Sequence, residues 1–206
     1  MNKEQNIKSL EFPKVTGNSA EYIIKSVSIS RLWEFHKAEE VHGYCQRCPK
    51  YGKFWSCPPL EFDMEQYIKQ FSIATIVGVK IPLNPALDKA AALEHYQQQK
   101  TIINSKFLAL ESELSEAKVL IAGNCQACKS CTRPKGLPCL YPNKMRHSLE
   151  ALGFKVSDIC EHILNEKLQW SKDKMPSYLF AILAILSNEE IDFEKVRREF
   201  SPQREN

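Results

Sequence analysis

The chain has 206 residues, enough to bury a sizeable core in one domain. Its 43% hydrophobic and 26% charged composition is that of an ordinary globular protein. A net charge of +3, with no basic stripe interleaved with aromatics, argues against nucleic acid as a partner.

Met1 to Phe12 carries no apolar secretory core. The longest apolar run, Tyr178 to Leu186, is too short to span a bilayer. The expectation is a cytoplasmic protein without a membrane partner, in which eight cysteines favour metal ligation over disulfides.

Residues 1–19 are polar and read as a loosely held start. Glu21 to Ile29 alternates apolar and polar side chains, which predicts a strand. Ser30 then caps a helix to about Val41, with Gly43 as its terminator. Next comes a cysteine group, Cys45-x2-Cys48 followed by Cys57-Pro58-Pro59. Its glycines and prolines predict a turn-rich loop carrying three thiolates.

Asp63 to Phe71 has helical spacing, and Ser72 to Ile81 reads as a buried strand stopped by Pro82 and Pro85. Ala86 to Ala117 contains no proline or glycine and predicts one long helix. Lys118 to Ala122 predicts a short buried strand, taken as central to the sheet, that delivers the chain into a second cysteine group. Beyond that group the pattern predicts a helix from Pro142 to about Leu152, a strand over Phe154 to Val156 and a helix from Asp158 to Leu168. A strand over Tyr178 to Ser187 and a short helix within Ile191 to Phe200 follow, in a charged tail from Asn188. Strands alternating with helices predict an α/β fold, one domain over 1–206 with a central sheet flanked by helices and two Cys-rich loops.

The second group, Cys125-x2-Cys128-x2-Cys131 with Cys139 beyond, places four thiols in fifteen residues. Consecutive x2 spacings suit a 4Fe-4S cluster, whose thiolates attach to neighbouring iron atoms. A single zinc prefers two separated knuckles, and remains the alternative.

Both cysteine groups together resemble a widespread prokaryotic family of predicted metal-binding proteins of unknown function. The likeness rests on Cys45-x2-Cys48-x2-Tyr51-Gly52-x2-Trp55-Ser56-Cys57-Pro58-Pro59. It continues in Cys125-x2-Cys128-x2-Cys131, Gly136-Leu-Pro138-Cys139 and Arg146-x-Ser148-x-Glu150-Ala151-x-Gly153. The resemblance implies metal binding, with iron–sulfur as the expected form, and no particular reaction.

Seven cysteines divide as three plus four. Cys125, Cys128, Cys131 and Cys139 can saturate one cluster as an electron carrier. Cys45, Cys48 and Cys57 leave a second metal centre one ligand short, and the two groups sharing one site is the other arrangement. His42 and His36 are candidates for the missing ligand, and an open position there would make the protein an enzyme.

Tyr51, Phe54 and Trp55 pack the first loop, and in doing so exclude water from a cluster. Lys50, Lys53, Arg133 and Lys135 are either solvated charges or cations that steer an acidic redox partner. Arg146 and Glu150 fall at i,i+4 on the predicted helix and would pair there, while the family likeness, which includes these positions and Ser148, implies the alternative of binding a ligand near the cluster. Cys160 reads as a buried thiol outside both groups. No phosphate-binding or dinucleotide motif is present. The readings are thus an electron-transfer protein with one or two clusters and a redox partner protein, an iron–sulfur enzyme with a small-molecule substrate, or a structural zinc protein.

Overall fold

The computed structural model describes residues 9–11, 20–169 and 175–200. Its centre is an antiparallel sheet of β1 (Ser9–Glu11), β2 (Glu21–Ser28), β3 (Ile73–Pro82), β4 (Lys118–Leu120) and β5 (Tyr178–Ser187), in the order β1-β2-β3-β5-β4. The two long strands β3 and β5 pair along their full length, from Ile73 opposite Ser187 to Pro82 opposite Tyr178.

Their near-continuous apolar runs have a direct cause: side chains alternate across a strand, and both faces of this sheet are covered. Ala74, Ile76, Ile182, Ala184 and Leu186 enter one core, while Val77, Val79, Ala181, Leu183 and Ile185 enter the other. The first core is closed by α1 (Ile29–Trp33), α3 (Met64–Lys69) and α5 (Val156–Ile159), the last continued by a π turn over Cys160–Leu164. The second is closed by α4 (Lys89–Glu113) and α6 (Phe193–Phe200). Gly78 lies where an added Cβ would come within 2.6 Å of both Leu164 and Phe180 side chains, so only glycine lets that layer approach the sheet.

The central sheet flanked by helices agrees with the sequence, and so do the strand over 178–187 and the strand from Glu21, which stops at Ser28. Asp63 and Asp88 cap α3 and α4 by accepting from Gln66 N and Ala91 N at 2.9 and 2.8 Å. The long helix is four residues shorter at its C-terminal end than the expected limit at Ala117, and begins at Lys89 rather than Ala86. β3 extends one residue further than expected, to Pro82.

Several expectations are corrected. The helix foreseen from Ser30 to Val41 is two helices, α1, capped by Ser28, and α2 (Ala38–Gln46). The chain breaks between them because His36 forms a bridge with Phe154, flanked by Lys37 N to Gly153 O at 2.9 Å and Lys155 N to Phe35 O at 3.0 Å. Gly43 lies inside α2 instead of ending it, so Cys45 sits on a helix and only Cys48 and Cys57 on the loop.

β4 is an edge strand, not a central one. The helix expected from Pro142 is a single 3-10 turn, Pro142–Lys144, because the backbone beyond it bonds elsewhere, His147 O accepting from Ile121 N at 2.9 Å. Phe154 makes only the isolated bridge, and the helix foreseen over 158–168 is α5 plus the π turn, ended by Asn165 at φ +58°. Of the tail from Asn188, residues 201–206 lie outside the described residues, as does the expected loose start apart from Ser9–Glu11.

Candidate metal centre

The two cysteine loops hang from different elements and are joined to each other by direct contacts. The first leaves α2 through tight turns, Cys48 N to Cys45 O at 2.9 Å, Tyr51 N to Cys48 O at 3.0 Å and Cys57 N to Phe54 O at 3.0 Å. The second leaves β4 through Ile121 and Ala122. Asn104, buried on α4, fixes that exit by donating to Ala122 O at 3.1 Å and accepting from Ala122 N at 3.0 Å.

Polar side chains then tie loop to loop. Ser56, with no exposed surface, accepts from Cys125 N at 2.9 Å. Lys50 donates to Asn124 Oδ1 at 2.5 Å. Trp55 Nε1 reaches Thr132 Oγ1 at 3.3 Å and Leu137 O at 3.1 Å. The Arg133 guanidinium lies over the Trp55 ring, 5.2 Å from its centre, and donates to Phe54 O at 2.7 Å, Cys57 O at 2.5 Å and Pro59 O. Lys50 and Arg133 are therefore struts between the loops, whereas Lys53 and Lys135 are exposed.

Burial, then the charge of Glu150, then Cys57 and Cys48 push Cys45 up to about 11. Cys57 is raised by burial and by Cys48, against the Ser56 hydroxyl, Lys50 and Arg133. Cys128 is raised by desolvation and by Cys125, Cys139 and Cys131. All seven thiols are free, as is Cys160, which is fully buried in the first core. Mutual repulsion of thiolates is what a bound cation relieves, so metal uptake and proton release are coupled here. Among the described residues no three cysteine, histidine or carboxylate side chains converge on the position of a single ion.

A cavity of about 250 Å³ lies between the loops, bounded by Trp55, Leu60, Phe62, Cys139, Met145 and His147. His147 is buried, bonds Ser56 O through Nδ1 at 3.1 Å and is held below the usual imidazole range by burial.

The ion pair expected between Arg146 and Glu150 is absent. Without the helix their i,i+4 spacing carries no meaning, and Arg146 Nε pairs with Glu111 on α4 at 2.8 Å, locking residues 145–147 to the helix end. Glu150 instead turns inward, where burial pushes its carboxyl above the ordinary carboxylate range. His36 stacks on Trp33 at 4.5 Å and packs on Phe154, with its Nε2 shielded and without a partner among the described residues, as is that of His42.

Sequence reasoning did not find Ser56, Asn104, Asn124 or Lys100. Each is a polar residue 8% exposed or less; the partners of Ser56, Asn104 and Asn124 sit on other elements, and Lys100 lies over Tyr96 of its own helix. The one available signal was Ser56, already part of the cysteine motif.

The fold and the thiol-lined pair of loops define a metal-binding protein. The family model described as Predicted metal-binding protein (DUF2284) matches residues 33–184, and the chain belongs to that family. No curated protein and no solved structure matches the chain. Among the described residues no helix is long and apolar enough to cross a membrane.

Proposed function

We propose that this metal-binding protein is an iron–sulfur protein acting in electron transfer or redox chemistry. Cys125, Cys128, Cys131 and Cys139 hold one 4Fe-4S cluster, and Cys45, Cys48 and Cys57 hold a second metal centre. The observation that carries the reading is that seven thiols divide as three plus four along the chain, Cys45 at the end of α2 and the other six on two loops bonded directly to each other. Four sulfur donors in one short loop are the soft ligand set such a cluster takes, and the fit is chemical as well as numerical. When bound, the cluster supplies one-electron transfer. The protein's own contribution is to hold both loops rigid and to place Trp55, Tyr51 and Phe54 around them.

The charge pattern supports an acidic redox partner. Residues 45–59 and 125–149 contain eight of the 28 lysines and arginines and none of the 25 acidic residues, leaving the rest of the chain net negative. Exposed Leu137, Leu140 and Tyr141 flank Cys139 within that basic field, the apolar centre and charged surround of a transient docking face. The cavity beside Cys139 favours a second reading, an enzyme that binds a small apolar molecule next to the four-cysteine set.

Iron, acid-labile sulfide and zinc per chain, measured on anaerobically purified protein, test the proposal. Two full clusters correspond to about eight iron and eight sulfide. Zinc without sulfide overturns it in favour of the structural zinc reading.

A further inference from the structure

We infer that the cavity between the cysteine loops binds a neutral aromatic molecule of one or two rings that donates a hydrogen bond to His147 Nε2. The inference rests on the second reading above, a small molecule beside the four-cysteine set, and gives that molecule its chemical class.

The walls select an aromatic guest. Trp55, Phe62 and His147 contribute rings, while Leu60, Pro138 and Met145 contribute aliphatic and thioether surface. Flat faces and a polarisable sulfur suit a ring. An apolar void of about 150 Å³ holds benzene. At about 250 Å³ this cavity has room for a second, fused ring. Glu61, itself exposed, is the one charged side chain among the described residues that line it. With no lysine or arginine there to compensate a carboxylate or phosphate, the guest is uncharged.

His147 supplies the directional contact. Its Nδ1 lies 3.1 Å from Ser56 O, and a carbonyl can only accept, so Nδ1 carries the proton. Burial disfavours the imidazolium, which leaves Nε2 as a bare acceptor. No group among the described residues bonds it. The Nε2 atoms of His36 and His42 also lack partners, but they are sealed in the interior. The imidazole of His147 instead lines a cavity.

The ring is also held in place. Phe62 packs on it at 5.1 Å and Tyr67 meets it edge-on at 6.3 Å. Its backbone is pinned by Ile121 N donating to His147 O at 2.9 Å, and its neighbour Arg146 by Glu111. A fixed acceptor within apolar walls rejects a guest that lacks the matching donor, because the acceptor is then buried unpaired. Ser56, on the far side of the ring, accepts from Cys125 N. A guest therefore bears on both cysteine loops through one imidazole.

Isothermal titration calorimetry on anaerobically purified full-length protein tests this with indole, 3-methylindole and 1-methylindole. The first two keep the ring N–H; the third loses it at the size of the second. Indole and 3-methylindole are expected to bind alike, and 1-methylindole about fivefold more weakly. His147→Asn retains a side-chain donor for Ser56 O and removes Nε2, so it should bind the three probes equally. Met145→Trp fills the cavity and should abolish binding of all three while metal content stays at the wild-type level.

Equal binding of indole and 1-methylindole by wild type overturns the inference and leaves the apolar-cavity reading standing. A preference for indole that persists in His147→Asn overturns it too, as does binding that survives Met145→Trp. Failure of all three probes to bind at their solubility limits overturns both the inference and the reading beneath it. Zinc without sulfide defeats the iron–sulfur reading alone, and the same preference for indole in that protein still supports His147.

Discussion

Around Phe107, Leu120 and Leu183 the molecule is held by apolar side chains with no exposed surface, packed on both faces of a sheet. The two cysteine loops are held to each other by a handful of polar contacts, most of them between one side chain and a backbone group 69 to 82 residues away. The first kind of cohesion is distributed, so it tolerates the loss of any one contact better than the second. The second is concentrated in Ser56, Trp55, Lys50 and Arg133. The sheet therefore makes the fold, and the metal finishes the lobe.

Four substitutions break or sharpen that contrast. Phe107→Ala removes a fully buried ring from the second core and is expected to cost about 3–5 kcal/mol, with the melting temperature and metal retention falling together in calorimetry and metal analysis.

Arg133→Ala deletes three carbonyl contacts between the loops, at about 1–3 kcal/mol felt locally. Proteolysis within 45–59 should accelerate and metal should leave faster, while the midpoint of sheet unfolding moves little. Arg133→Lys should not restore either property, because an ammonium lacks the planar fork.

Lys100→Met probes the buried charge beneath the loops. Burial, aided by the charge of Lys50, lowers the Lys100 ammonium from 10.5 to about 8. The folded state then binds fewer protons than the unfolded state between pH 8 and 10.5, so this group costs stability below pH 8 and the cost fades as pH rises through that window. The metal-free variant should melt higher at pH 7, on the order of 5 °C. It should also lose the rise in stability between pH 8 and 10.5, both read by thermal melts across pH.

Lys135→Glu, on the exposed basic face, should change stability by no more than about 0.5 kcal/mol. It should slow association with an acidic redox protein in stopped-flow experiments, with the difference vanishing at high salt.

The sheet was legible because its strands carry period-2 or continuous apolar runs, and α3 and α4 were legible from the helical spacing of 63–71 and the proline- and glycine-free run of 86–117, although the Asp88 cap of α4 was not read. The two loops were legible because cysteine spacing reports metal chemistry directly. The course of 142–155 was not. Its apolar residues Met145, Leu149 and Leu152 fall at the four- and three-residue intervals a helix would also give. What unwinds the segment is bonding to His36, Ile121 and Ser56, all distant in sequence. For the same reason Arg146 looked like a partner of Glu150 and is a partner of Glu111. The split of α1 from α2 was hidden likewise, since a bridge between His36 and Phe154 leaves no local trace.

The bond from Arg133 to Cys57 O spans 76 residues of chain. At about 5–20 residues per second, the ribosome holds the first three thiols out for on the order of 4–15 s before their partner loop exists. During that interval Cys45, Cys48 and Cys57 stand without the Arg133 brace that later holds their loop. A complete pair of braced loops is accordingly a late event in synthesis, and the order of the two loops along the chain makes the set of three the one that waits.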